Sequence, residues 1–89
     1  MSSRNKYKKE PVFVADLHGM TKKEAGEFLD TFLEGKDGEH IRLITGKGTY
    51  RNGPILQEYI KEYLKKRGAT YSYAKIGDGG EGALEVFLP

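Results

Sequence analysis

Apolar residues fall along this chain in two rhythms, short unbroken runs and stripes at helical spacing. The first run, Val12-Phe13-Val14-Ala15, is β-branched and aromatic and gives way to Asp16-Leu17-His18-Gly19, which predicts a short buried strand and a turn. Thr21-Lys22-Lys23-Glu24 has the spacing of a capping box, with Thr21 as N-cap and Glu24 reaching back to it. Ala25, Phe28, Leu29, Phe32 and Leu33 then recur at helical intervals, so an amphipathic helix follows and stops near Gly35 to Gly38. Ile41-Arg42-Leu43-Ile44 predicts a second strand that runs into Thr45-Gly46-Lys47-Gly48. Asn52-Gly53-Pro54 announces a second helix, since proline near the first helical position gives up no hydrogen bond. Leu56, Tyr59, Ile60, Tyr63 and Leu64 form its apolar face. Lys65, Lys66 and Arg67 sit where the helix dipole favours cations, and Gly68 follows as a terminating glycine. Tyr71 to Ile76 predicts a third strand, Gly77 to Gly82 a tight hairpin turn, and Ala83 to Leu88 a fourth strand.

The order βαβαββ places the chain in the α/β class, as a two-layer sandwich. Its four-stranded mixed sheet should carry both helices on one face if the two crossovers step in the same direction. Strand–helix–strand units imply parallel pairing through right-handed crossovers. The first three strands are therefore expected to run parallel, with the fourth returning antiparallel. Either Tyr71 and Tyr73 or Ser72 and Ala74 then face the helices; the alternation alone does not choose between them. The ends of the parallel strands bring Asp16 to Gly19, Thr45 to Gly48 and the 77–82 turn to one edge. Open α/β sheets bind ligands at this carboxyl edge.

Length and charge narrow the possibilities further. With 89 residues the chain is one small domain, too thin to enclose a dinucleotide or to form a two-domain cleft, so any ligand binds at a surface edge. Residues 1–11 read as a flexible basic arm and 12–89 as the folded body. Residues 1–10 carry four basic side chains against Glu10, a local charge of +3, whereas the rest balances to −1. Such an arm either contacts nucleic acid or serves as a solubilising tail. There is no cysteine, which excludes disulfides and thiolate metal sites. No apolar run approaches the length of a membrane span, and the N-terminus lacks the apolar core of a signal peptide. A cytoplasmic monomer without membrane contact is the expectation.

The candidate chemistry collects at the carboxyl edge. Asp16 and His18 lie two apart at a strand end, where their side chains point the same way. Imidazole is suited to proton transfer near neutral pH, and a neighbouring carboxylate orients it. The plainer alternative is that Asp16 accepts loop N–H bonds and His18 is an ordinary turn residue. Gly46-Lys47-Gly48 leads from a strand towards a helix N-terminus and reads either as an anion site or as a connector with a solvated lysine. Tyr50 and Arg51 either stack on a base and pair a phosphate or form a solvated loop tip. Gly77 to Gly82 spells G-x-G-x-x-G but lies between two strands, so it is not a dinucleotide fingerprint. Its glycines, Gly79 and Gly80 among them, are expected to expose N–H groups to phosphate. Asp16 and His18 supply two metal ligands at most, and His40 begins a strand at the opposite edge, so no resident metal or other cofactor is expected.

Three segments together resemble the Smr (small MutS-related) domain family over about residues 12–88. Ala15-Asp16-Leu17-His18-Gly19 matches its L-D-L-H-G box, with Ala15 in place of leucine. Thr45-Gly46-Lys47-Gly48 matches its [HT]-G-x-G box in the variant without histidine. Gly79-Gly80-Glu81-Gly82-Ala83-Leu84 matches its terminal G-G-x-G-A segment. The resemblance implies a fold similar to the C-terminal domain of bacterial translation initiation factor three. It also implies nucleic-acid binding, with endonuclease activity carried by Asp16, His18, Gly46 and Gly48, and leaves Lys47 at a variable position. The expectation is an endonuclease that cleaves RNA or nicks DNA at the carboxyl edge, RNA being preferred, with phosphate bound near Gly46, Lys47, Gly48, Arg51, Gly79 and Gly80. Nicking DNA would add a divalent cation to activate water. The alternatives are a non-catalytic module for structured nucleic acid and a protein-interaction domain using the open sheet face.

Overall fold

The computed structural model describes residue 11 and residues 13–46 and 53–89. Apart from Pro11, the basic arm lies outside them, as do Lys47, Gly48, Tyr50 and Arg51. Strand β1 (Phe13–Asp16) leads into helix α1 (Lys22–Phe32), then β2 (His40–Ile44), α2 (Gly53–Lys66), β3 (Thr70–Tyr73) and β4 (Ala83–Phe87). Each helix has the terminus its sequence predicts. Thr21 Oγ1 accepts from Glu24 N–H at 3.1 Å while Thr21 N–H donates to Glu24 Oε1 at 2.9 Å, completing the capping box. At the end of α2, Gly68 takes φ +77°. Gly68 N–H donates to Lys65 O and Ala69 N–H to Leu64 O, the two bonds of a Schellman motif.

The sheet order is β1-β2-β4-β3. β1 and β2 pair in parallel, and β4 pairs antiparallel with both β2 and β3. The first three strands thus share one direction and the fourth opposes them, as expected. The expected parallel pairing of β2 with β3 does not occur, because β4 is inserted between them. This makes β4 the central strand of the antiparallel half, and its sequence explains the choice. Leu84 and Val86 are fully buried, whereas Thr70, Ser72 and Tyr73 of β3 are exposed, as suits an edge.

The connection from β3 to β4 also differs from the tight turn expected. β3 ends at Tyr73, and two short 3₁₀ turns (Ile76–Asp78 and Gly80–Gly82) complete the return. Gly79 between them takes φ +117°, and a Cβ there would stand 2.8 Å from the Ala83 Cβ. Only glycine fits that bend.

Both helices cover one face. Leu29 and Leu33 of α1 and Leu56, Ile60 and Leu64 of α2 meet Leu17, Ile41, Leu43, Leu84 and Val86 in a single core. Tyr71 and Tyr73 pair with Val86 and Leu84, which places both tyrosines on the helix side. Tyr73 takes a hydrogen bond from Lys61 of α2 there, at 2.9 Å. The opposite face is open and carries Val14, His40, Arg42, Glu85 and Phe87.

Candidate functional site at the carboxyl edge

The site begins with how β1 ends. Leu17 N–H donates to Ile44 O at 2.7 Å, extending the ladder by one residue and fixing the Asp16–His18 turn beside the Thr45–Gly46 end of β2. Gly19 then takes φ +83°, and Met20 N–H donates to Leu17 O at 3.0 Å, which closes the turn before α1 starts.

Within that turn Asp16 and His18 are bonded twice. Asp16 Oδ1 accepts the His18 backbone N–H at 3.0 Å and lies 2.6 Å from His18 Nδ1. One carboxylate oxygen thus caps the loop and holds the imidazole ring, so the loop-capping bond and the ring-orienting bond are both present. The hydrogen bond from the ring, followed by that from the backbone N–H, lowers the Asp16 carboxyl below its ordinary pKa. A carboxylate acceptor at Nδ1 favours the tautomer that carries its proton on that nitrogen. About half of each side chain is exposed.

Beside this pair the glycine-rich loops are fastened to one another. Thr45 N–H and Gly46 N–H both donate to Gly82 O, at 2.9 and 3.0 Å. Thr45 itself is 1% exposed, with its hydroxyl within bonding distance of Gly46 O and Gly82 O. Gln57 of α2, also buried, completes the knot. Its Nε2 lies 2.6 Å from Glu81 O, 2.9 Å from Thr45 Oγ1 and 3.2 Å from Gly46 O. One amide thus joins two loops to α2, a residue that sequence reasoning missed. The signal was present, because Gln57 falls three residues before Ile60 and seven before Leu64, a polar position on the apolar face of α2.

These bonds alter the roles expected of the glycines. Gly46 N–H is engaged by Gly82 O, Gly79 N–H by Ile76 O, and Gly80 N–H by Lys75 O. In this conformation those amides shape the edge instead of presenting free donors to a phosphate. Lys47, Gly48 and Arg51, the remaining expected phosphate contacts, lie outside the described residues.

A second cluster was also missed. On the open face His40 Nε2 meets Glu85 Oε1 at 2.5 Å, Arg42 Nε donates to Glu85 Oε2 at 2.6 Å, and Arg42 Nη2 lies 3.4 Å from Asp78. Phe87 stacks on the His40 ring with centroids 4.4 Å apart. His40 lies at the opposite end of β2 from Asp16 and His18, as its place in the sequence required. Among the described residues no group of three histidine, aspartate or glutamate side chains is arranged to hold a metal ion. No helix among them is long and apolar enough to cross a membrane.

Comparison with known proteins matches the Smr domain to residues 15–89. The chain is 33% identical over 78 residues to endonuclease MutS2 of Carboxydothermus hydrogenoformans, an alignment covering 82% of this chain and 10% of that protein. It therefore spans about a tenth of that relative's length. Among solved structures, the crystal structure of the Smr domain of Thermus thermophilus MutS2 superposes with a TM-score of 0.71 at 34% identity, covering 88% of this chain and 99% of that one.

Proposed function

The chain belongs to the Smr domain family, and from that membership and the geometry of its carboxyl edge we propose that it is a nucleic-acid endonuclease with RNA as its substrate. The observation that carries the reading is the doubly bonded Asp16–His18 pair, half-exposed at the sheet edge where a ligand approaches.

RNA supplies its own nucleophile, so the site needs only proton transfer and phosphate stabilisation. His18 Nε2 takes the proton of the 2′-OH as that oxygen attacks phosphorus. The bond to the 5′-oxygen breaks, and the leaving oxygen is protonated from the solvent that reaches this open edge. The products are a 2′,3′-cyclic phosphate and a 5′-hydroxyl. Asp16 orients the imidazole and stabilises it once protonated. Lys47, Gly48 and Arg51 supply phosphate contacts, and Gly46, Gly79 and Gly80 shape the edge that presents them. DNA would require an activated water and a divalent cation in place of the 2′-OH.

A second reading, a module that binds nucleic acid without cutting it, is favoured by the engaged amides of Gly46, Gly79 and Gly80. They leave the described edge with few donors for a developing oxyanion. Incubating end-labelled RNA and supercoiled plasmid with the protein, in Mg²⁺ or in EDTA, separates the two. Cyclic-phosphate-ended RNA products in EDTA, absent with His18→Ala, are the expected result. Retarded but intact RNA in every lane would establish the binding module instead.

A further inference from the structure

Immediately past the Asp16–His18 turn, between the first turns of α1 and α2, the surface folds into a cleft of about 320 Å³. It is lined by Met20, Thr21, Lys22, Lys23, Ile55 and Leu56. Leu56 belongs to the core, but Ile55 leaves 54% of its surface open to solvent and Met20 is half-buried. The Met20–Leu17 hydrogen bond that closes the His18 turn also fixes the backbone of Met20, which lines the cleft. Lys22 and Lys23 stand exposed at the rim, where the amino end of α1 adds to their positive potential.

The depression continues along α2 past Ile55 to Glu58, Tyr59 and Glu62. Its charge therefore reverses along its length, cationic beside His18 and anionic at the far end. A phosphodiester strand is attracted to the first end and repelled by Glu62 and the Lys61-paired Glu58 at the second, so the groove favours one nucleotide over a strand laid along it. A peptide helix or an acyl chain would draw its affinity from apolar surface along the whole groove and would gain nothing from lysines at one end. A single nucleotide uses what is there. Its base covers Met20 and Ile55, and its phosphate reaches Lys22 and Lys23.

We propose that this cleft is the subsite for one unpaired nucleotide next to the phosphodiester cleaved at His18. The proposal rests on the nucleic-acid reading above and adds a substrate class to it. A base paired in a duplex is stacked and cannot enter, so cleavage falls in single-stranded loops or ends. Methionine and isoleucine offer no directed donors or acceptors to a base edge, so discrimination among the four bases is weak.

Methyl and backbone-amide NMR of the full chain test this with a single-stranded 2′-O-methyl RNA hexamer, which its own 2′ oxygens cannot cleave. An abasic strand of the same length serves as the control. The ring current of an entering base is expected to shift the Met20 and Ile55 methyl signals with the hexamer and to leave them in place with the abasic strand. Ile55→Ala, at a half-exposed position that the fold does not depend on, should weaken hexamer binding about fivefold and abasic-strand binding not at all. Shifts at His18 and Gly46 with both methyl groups unmoved would overturn the subsite and leave the nucleic-acid reading standing. No shift anywhere would overturn both.

Discussion

Two histidine–carboxylate pairs sit at opposite ends of this sheet, and their surroundings give them opposite characters. Asp16–His18 is local, two residues apart, half-exposed and placed where glycine-rich loops converge. His40–Glu85 joins residues 45 apart in sequence, with side chains 15% and 13% exposed. The second carboxylate oxygen of Glu85 is already committed to Arg42, and Phe87 stacks on the ring. The chemistry of the two pairs is the same on paper. What separates them is whether a ligand can reach the ring and whether the carboxylate's charge is already neutralised. A histidine beside a carboxylate is thus no sign of catalysis by itself, and the open-face pair is a cross-strand clamp between β2 and β4.

That contrast can be broken most directly at His18. The His18→Ala variant should lose about 10²- to 10⁴-fold in RNA cleavage, the usual worth of a general base. Its unfolding free energy should change by less than about 0.5 kcal/mol, because the side chain is half-exposed. Both are read from initial rates and urea titrations of the same preparation. Gln57→Leu comes next, since it leaves three acceptors in two loops without their donor. Urea titration should show a loss of about 1–3 kcal/mol, and cleavage should fall with it as the edge loosens. His40→Ala inverts the first result. It removes a hydrogen bond to a charged, largely buried partner and should cost about 1–2 kcal/mol of stability while leaving the cleavage rate per folded molecule unchanged.

The smallest effect lies in the titration of Asp16. His18 holds its folded pKa below the ordinary value, so its contribution to stability is present above the unfolded carboxylate pKa of about 3.9 and is lost as pH falls through the lowered folded value. Followed by NMR of the carboxyl carbon, the Asp16 midpoint should rise when His18 is replaced by alanine.

Local grammar made much of this legible from sequence. The capping box at Thr21, the terminating Gly68 and the helix stripes each depend on residues within a few positions, and each appears in the structure. The Asp16–His18 pair was legible for the same reason. Strand order was not, because inserting β4 between β2 and β3 depends on which of two short strands buries better, a property of the assembled sheet. The Arg42–Glu85 bridge followed from that insertion. Each residue showed its outward position by alternation, but their partnership required knowing that β2 and β4 are neighbours. Gln57 was visible as a polar break in an apolar stripe, yet the two loops it joins come from distant parts of the chain.

The central claim is that of two similar pairs only the exposed one performs chemistry. Cleavage of an end-labelled single-stranded RNA in EDTA by wild type, His18→Ala and His40→Ala, run side by side, tests it most directly. Cyclic-phosphate-ended products are expected from wild type and His40→Ala, and intact RNA from His18→Ala. Undiminished cleavage by His18→Ala, or intact RNA with the wild-type protein, would contradict it.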